Sequence, residues 1–432
     1  MIESSSTHNS PTILPGTNPV VIVGAGPGGS VAALALARQG IRSVVVDKAT
    51  FPRPKPCGDV ITSQTLRVLE RLGLDPSNDL PLVRAQATWG TTCIAPNGKA
   101  VDVSFKPLHK ETEIPSCYTL QRASFDNYLV EQLRANPLIE LREGVGVKDA
   151  QHVDQQWQIN LADGTNLPDT KLLLLASGCN SSLARQISNQ SLPAIAKEDD
   201  RHFGVGLRGY FRDKGGWRQA GMPEFYIMRE LMPGGLYLTP LANGLVNVNM
   251  VMRRDYVLKN GINLRDRFWE VLASHPTLSK RFAPDTLEGQ LQGSSLSFGT
   301  IKRGNAGNGL MMIGDAAGLI DLLSANGICN AVMSAEIAAG VAVQAIQHQD
   351  YSMAFLGNYD SLLDQKLGNE LKLGRLVSPF LGNERLFGLF EGVLNFVASR
   401  VQGGSVLSQL LYHPDVSKLL RSPSFYKQMV WG

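Results

Sequence analysis

One short segment constrains this chain more than any other. Val20-Val21-Ile22-Val23 is an apolar strand that runs straight into Gly24-Ala25-Gly26-Pro27-Gly28-Gly29, a G-x-G-x-x-G turn. An Ala- and Leu-rich helical stretch follows, from about Gly28 to Gln39. Gly40 ends it, and Ser43–Asp47 is a second buried strand. Together they predict a βαβ unit. Gly24 allows the tight turn, Gly26 lets the backbone approach a pyrophosphate, and Gly29 permits close packing of helix on strand. The helix N-terminus, opened by Pro27, offers free N–H groups and partial positive charge to phosphates. Asp47 ends the second strand, 23 residues after Gly24. A carboxylate there can accept from both ribose hydroxyls of an adenosine, and would repel a 2′-phosphate. This spacing favours a bound dinucleotide over a purely structural turn, without separating FAD from NAD.

A second signal lies far along the chain. Met311-Met312-Ile313 is an apolar strand ending in Gly314-Asp315-Ala316-Ala317-Gly318, and Ala325-Asn326-Gly327-Ile328 then opens a helix running through Ala339. Alone, Gly314-Asp315 is an ordinary strand-to-helix turn. Beside the first unit it has a chemical reading. An Asp at a strand end can bind a ribityl hydroxyl, and the helix N-terminus can face a flavin edge that gains negative charge on reduction.

Between and around these motifs the pattern changes. Arg122–Leu133 has Phe125, Leu129 and Leu133 on one helical face, and Leu172–Ala176 is a continuous run suited to a buried parallel strand. Strand-like pieces at 203–211, 224–229, 235–239 and 245–252, separated by Gly, Pro and Asn turns, predict an antiparallel sheet. The last 80 residues read as helical. The expected class is α/β plus α+β. A discontinuous Rossmann-like domain (19–84, 115–195 and 296–350) carries an inserted antiparallel-sheet substrate domain (85–114 and 196–295). A disordered tail (1–18) precedes them, and a C-terminal helical region (351–432) follows.

Composition removes other classes. The 432 residues carry 41 basic and 38 acidic side chains, net +3, so no field gathers nucleic acid. The five Cys (57, 93, 117, 179 and 329) form no C-x-x-C pair, which argues against a disulfide framework or disulfide-reductase chemistry. The seven His show no ligand spacing, and no metal site is expected. Two uncharged stretches, 9–37 and 231–252, are too broken by Gly, Pro and Asn to span a bilayer. A soluble, cytoplasmic chain is the expectation.

The motifs resemble those of the p-hydroxybenzoate hydroxylase-like flavoprotein superfamily, and within it the geranylgeranyl reductase family, over roughly residues 19–350. Besides the first turn and Asp47, the likeness rests on three segments. Arg53-Pro54-Lys55-Pro56-Cys57-Gly58 resembles the reductases' basic and Cys-Gly segment. Tyr118-Thr119-Leu120-Gln121-Arg122, with Phe125-Asp126, resembles the Arg-x-x-Phe-Asp helix start whose Arg binds the cofactor. Gly314 to Ile328 resembles the second flavin motif. The resemblance implies FAD, and a cofactor set that adds Lys48, Arg53, Cys57, Gly58, Asp59, Arg122, Val147, Asp315, Gly318, Gly327 and Ile328. The chain departs from the family at Ser177, where many relatives carry Asp, at Leu322 in place of Pro, and at Ala325-Asn326 in place of Gly-Glu. The reductases' P-x-x-Y-x-W-x-F-P signature stands here as Pro233-Gly234-Gly235-Leu236-Tyr237-Leu238-Thr239-Pro240, with Tyr237 in the Trp place.

Only one G-x-G-x-x-G unit is present, so NAD(P)H binds transiently or another donor reduces the flavin. Prolines at 52, 54 and 56 hold the approach to Cys57 extended. Cys57 reads either as an active-site residue, as in the family, with Arg53 and Lys55 lowering its pKa or holding an anionic substrate, or as a packing thiol. Cys93, Cys117, Cys179 and Cys329 read as packing. Tyr226, Leu236, Tyr237 and Leu238 are candidate cavity liners, with ordinary core packing the competing reading for each. Phe380, Phe387, Phe390 and Phe396 are candidates to close an apolar tunnel. Cys57 and Tyr237 are the catalytic candidates for reducing carbon–carbon double bonds of a prenyl or lipid-like substrate, which implies peripheral membrane contact. The alternatives are an FAD-dependent monooxygenase of a hydrophobic or aromatic substrate and a non-catalytic prenyl-protein escort.

Overall fold

The computed structural model describes residues 18–104, 115, 117–192, 199–381, 383–399 and 422. The expected disordered tail, but for Asn18, and the end of the C-terminal region lie outside the described residues. So do the side chains of Phe380 and Phe390.

The apolar runs assemble as their composition requires. Leu310–Met312, Leu173–Leu175, Val20–Val23, Ser43–Asp47 and Ile139–Glu143 lie side by side in that order, all parallel. Ala306–Gly307 adds an antiparallel edge. Leu310–Met312, Leu173–Leu175 and Val20–Val23 are apolar and buried along their whole length, as a sheet covered on both faces requires. Helix Pro27–Arg38 packs against helices Arg122–Arg134 and Gly327–His348. Val31, Leu36, Phe125, Leu129, Val332 and Ala338 are fully buried in the shared core. Each large side chain so buried contributes roughly 1.5–3 kcal/mol. Gly327–His348 runs beyond the expected Ala339. By length and composition it could cross a membrane, but 67% of its most apolar window is buried inside the protein.

The second sheet has seven strands in the order Leu287–Ser297, Phe203–Arg212, Leu245–Arg253, Gly234–Pro240, Glu224–Tyr226, Gly90–Ile94 and Ala100–Ser104. It departs from the expected antiparallel pattern at one place. Glu224–Tyr226 pairs in parallel with Gly90–Ile94, because the latter arrives from a distant part of the chain and not by a hairpin. One face packs Val246, Val248, Met250 and Met252 against Phe268, Leu272 and Phe282 of the covering helices. The other face carries Asn249 and Val251 towards the first sheet.

Two expected boundaries shift. Gln86–Thr88 pairs with Cys117–Thr119 in a small three-stranded sheet with Val60–Thr62, not with the seven-stranded sheet. The edge strand of the seven-stranded sheet continues to Ser297, past 295.

Candidate cofactor and substrate site

A cavity of about 940 Å³ lies between the two sheets. Its nucleotide end is built by backbone. Gly24 has φ +106°, and a Cβ there would stand 2.4 Å from the Ala176 carbonyl oxygen. A Cβ on Gly29 would stand 1.7 Å from the Gly24 carbonyl oxygen. Gly26 differs: its Cβ would meet only the Arg53 guanidinium, at 3.6 Å, so the surface beside it is open to the cavity. Gly26 caps the helix with no side-chain hydrogen bond, and Pro27 follows, so the first-turn N–H groups face a ligand site. Asp47 Oδ2 accepts from Ala25 N–H and Oδ1 from Ala49 N–H, both at 2.8 Å. These bonds fix the carboxylate at the strand end and leave lone pairs for ribose hydroxyls. Lys48 and Val147 line the same end.

The basic residues are arranged around Asp126, a fully buried carboxylate. Arg122 binds it with two parallel bonds of 2.8 Å, and Arg53 reaches it at 3.2 Å. Arg53 also lies over Gly26, 3.6 Å from where a Cβ would stand, and lines the cavity together with Cys57. Lys55 pairs with Asp315 at 3.4 Å. Burial works against the Arg122 charge, but the neighbouring Asp126 and Cys57 more than offset it and raise its pKa. Arg122 and Cys57 both line the cavity.

Cys57, Gly58 and Asp59 cross the middle of the cavity and are tied to the second sheet. Asn247 donates to the Cys57 carbonyl at 2.6 Å and to Asp59 Oδ2 at 2.7 Å, and Thr239 donates to the Gly58 carbonyl at 2.8 Å. Tyr210 donates to Asp59 Oδ2 at 2.8 Å. Asp59 has φ +61° and is fully buried. Burial pushes its carboxyl up to about 6, against the hydrogen bonds and the nearby Arg208 and Arg122 charges. Its side chain is spent holding the loop on the sheet.

Asp315 lines the cavity ahead of helix Gly327–His348, whose Asn326 cap makes no side-chain hydrogen bond. A Cβ on Gly327 would stand 3.4 Å from Asp315 Oδ1. The two glycine-containing motifs therefore converge on one cavity. Tyr237 lines the far wall, stacked on Phe225 with centroids 4.3 Å apart. Burial raises its phenol pKa. Of the expected cofactor residues, Gly29 and Gly318 do not reach the cavity wall. Gly29 packs against the Gly24 backbone, and Gly318 (φ +65°) lies against Arg303.

Sequence reasoning missed Asn247, Asp321 and Glu370. Asn247 and Asn249 alternate within an apolar strand, a legible mark of a polar cavity face. Among the described residues, helix Asn358–Leu381 places Glu370 and Leu373 in the cavity wall. Phe387 is buried and Phe396 is 38% exposed. All five cysteines are free. Burial pushes the Cys93 and Cys117 thiols up to about 12, and Cys179 and Cys329 up to about 11.

The ligand this cavity suits has a diphosphate in its middle and a ring system at one tip. A structural detail supports the fit: the Ser177 hydroxyl, on the cavity wall, is buried with no hydrogen-bond partner among the described residues. Ser177 stands where Asp is usual in the resembling family and can still serve one polar group of the ligand. Such a site defines a flavoprotein oxidoreductase, with FAD as its cofactor. The chain belongs to the FAD-binding domain family, whose pattern matches residues 17–339. It is 26% identical over 386 residues to digeranylgeranylglycerophospholipid reductase 2 of Methanopyrus kandleri, covering 87% of this chain and 90% of that protein. It is 26% identical over 411 residues to menaquinone reductase of Mycolicibacterium smegmatis, covering 90% and 92%. Its fold resembles that of a geranylgeranyl bacteriochlorophyll reductase-like protein from Thermoplasma acidophilum, with TM-score 0.76, 20% identity, and 94% and 98% of the chains covered. The resemblance read from the motifs is borne out.

Proposed function

We propose that this protein is an FAD-dependent reductase of carbon–carbon double bonds in a polyprenyl or related lipid-like substrate. One observation carries the reading: a single cavity runs from the pyrophosphate turn past Cys57 to a wall that includes Phe225, Tyr237, Leu238, Val251 and Leu373. The names of the two relatives point to the same substrate class. Gly24, Gly26, Pro27, Gly28 and Arg53 would hold the diphosphate, Asp47 the adenosine ribose, and Asp315 with Gly327 and Ile328 the flavin end. Bound FAD supplies the electron pair for the reduction. The apolar wall holds the alkene and excludes water. Cys57, fixed through its carbonyl by Asn247, bounds the reaction space. The electron donor is a nicotinamide that binds transiently, or another two-electron carrier. In this reading the protein is cytoplasmic and reaches a membrane surface for its lipid substrate.

The test is anaerobic mixing of photoreduced holoprotein with geranylgeranyl lipids. Reoxidation of the flavin with formation of a saturated product is expected. If no prenyl substrate reoxidises it, and product forms only with stoichiometric oxygen uptake, the protein is a monooxygenase instead.

A further inference from the structure

Strand Leu245–Arg253 turns two asparagines away from its core, and the protein uses only one of them. Val246, Val248, Met250 and Met252 point into the second core, so Asn247, Asn249 and Val251 lie on the opposite face. Asn247 is spent, because its Nδ2 donates to the Cys57 carbonyl and to Asp59. Asn249 lines the cavity, and its carboxamide makes no hydrogen bond among the described residues. Arg208 and Tyr237 stand directly opposite it on the two neighbouring strands. Both are engaged elsewhere. Arg208 donates to Gln292 at 2.9 Å and lies over the Tyr210 ring at 3.9 Å, and Tyr237 stacks on Phe225.

The amide borders open space. A Cβ on Gly58 would have one atom within 4 Å outside its chain neighbours, and that atom is Asn249 Nδ2, at 3.9 Å. The Cys57–Asp59 loop and this strand therefore bound a slot of the cavity, with an amide donor on its sheet side. Around that donor the sheet side is Phe225, Tyr237 and Val251. This is the wall assigned above to the lipid, whereas the cradle assigned to FAD is built from the turns of the first sheet. An apolar chain that fills the cavity strips water from the amide, which is unfavourable unless the ligand brings an acceptor. Pockets of this kind take their ligand's orientation from a few placed polar groups. A prenyl chain needs such a group in particular. Its isoprene units are alike, so an apolar wall alone cannot choose among them.

We propose that Asn249 is the specificity residue that sets the register of the substrate: its Nδ2 donates to a hydroxyl or carbonyl oxygen at the head of a prenyl lipid. This rests on the reductase reading above and deepens it. Oxygen-bearing prenyl lipids are selected over bare hydrocarbons. With the head held in the slot, the chain no longer slides along the wall. Only the double bond at one distance from the head then lies in the reaction space beside Cys57. No bond forms or breaks at Asn249, whose part is binding and placement.

The test uses FAD-loaded wild type, Asn249→Leu and Asn249→Ala with two ligands, geranylgeraniol and the hydrocarbon in which its hydroxyl is replaced by hydrogen. Binding to the oxidised protein is followed through the flavin absorbance. Wild type should bind the alcohol about tenfold tighter than the hydrocarbon. Both variants should bind the two ligands alike, at the wild-type affinity for the hydrocarbon, with flavin content unchanged. Photoreduced protein is then mixed anaerobically with the alcohol, and the product of one turnover is sorted by which double bond is saturated. Wild type should favour one position, and the variants should spread reduction over several. Wild type without a preference for the alcohol, or a variant that keeps that preference, overturns this proposal alone. Loss of flavin from both folded variants would assign the amide to the cofactor and overturn it as well. Wild type that no prenyl lipid reoxidises overturns the reductase reading, and this proposal with it.

Discussion

The two ends of the cavity are built differently. The nucleotide end is backbone geometry: Gly24, Gly26, Gly28 and Gly29 shape it, and Asp47 is held by two main-chain N–H groups. The chemical end is side chains drawn from distant segments, with Asn247, Tyr210 and Thr239 holding the Cys57–Asp59 loop and Tyr237, Asp321 and Glu370 lining the same cavity. A backbone-built site tolerates no added atom but needs few particular side chains. A side-chain-built site can change its chemistry by substitution while the fold persists, as expected of a scaffold that hosts several reactions.

The sharpest way to break this contrast is to add one methyl group at two neighbouring positions. In Gly29→Ala the new Cβ would overlap the Gly24 carbonyl oxygen, so helix and strand must separate. The expected cost is ~4 kcal/mol or more, with flavin lost from the purified protein. In Gly26→Ala the methyl meets only Arg53 and open cavity. The apoprotein should keep its melting temperature while FAD affinity falls at least tenfold. Equal thermal stability of the two variants would mean that the turn is not rigid.

The next largest effect is a pH dependence at the chemical end. Asp59 binds its proton more tightly folded, at about 6, than at its ordinary 3.8. Its contribution to stability is therefore full below about pH 4 and is lost as pH rises through about 6, on the order of 3 kcal/mol in all. Asp59→Asn lacks this titration. Urea unfolding should show wild type losing that much stability relative to the variant between pH 4 and 7.5. Parallel pH profiles would show that Asp59 is better solvated than its burial implies.

The same contrast decides what could be read from sequence. The first turn, Asp47, Asp315 and the parallel strands were legible because each obeys a local rule of spacing and periodicity. Arg122 was legible as a cavity residue through its motif, but its hold on Asp126, shared with Arg53, was not. Asp321 and Glu370 were invisible as cavity residues because no motif or local spacing marks either. Core packing of Leu363, Leu367 and Leu371, which reads as an ordinary apolar stripe, sets which face helix Asn358–Leu381 turns to the cavity. Gly318 shows the converse: its motif is legible, but its place is behind the wall.

Asn247→Ala sharpens the comparison further. It removes two hydrogen bonds from one loop, and should cost about 1–3 kcal/mol. Because one bond goes to Asp59, the loss should be larger at pH 8, where that carboxyl is ionised, than at pH 5. A pH-independent loss would assign the stabilisation to the Cys57 carbonyl alone.

The smallest expected effect is that of Lys55→Ala. Lys55 links the proline-rich segment to Asp315 through a single contact of 3.4 Å, and its side chain is 37% exposed. Pairs of this kind contribute at most about 1 kcal/mol and weaken with salt. Calorimetry of the apoprotein at low and high salt should find a loss within that bound, shrinking as salt rises. The Gly24–Gly29 turn does not depend on this pair, so flavin content should stay near wild type. A loss of flavin comparable to that in Gly26→Ala would mean that the nucleotide end, too, is completed by side-chain charge.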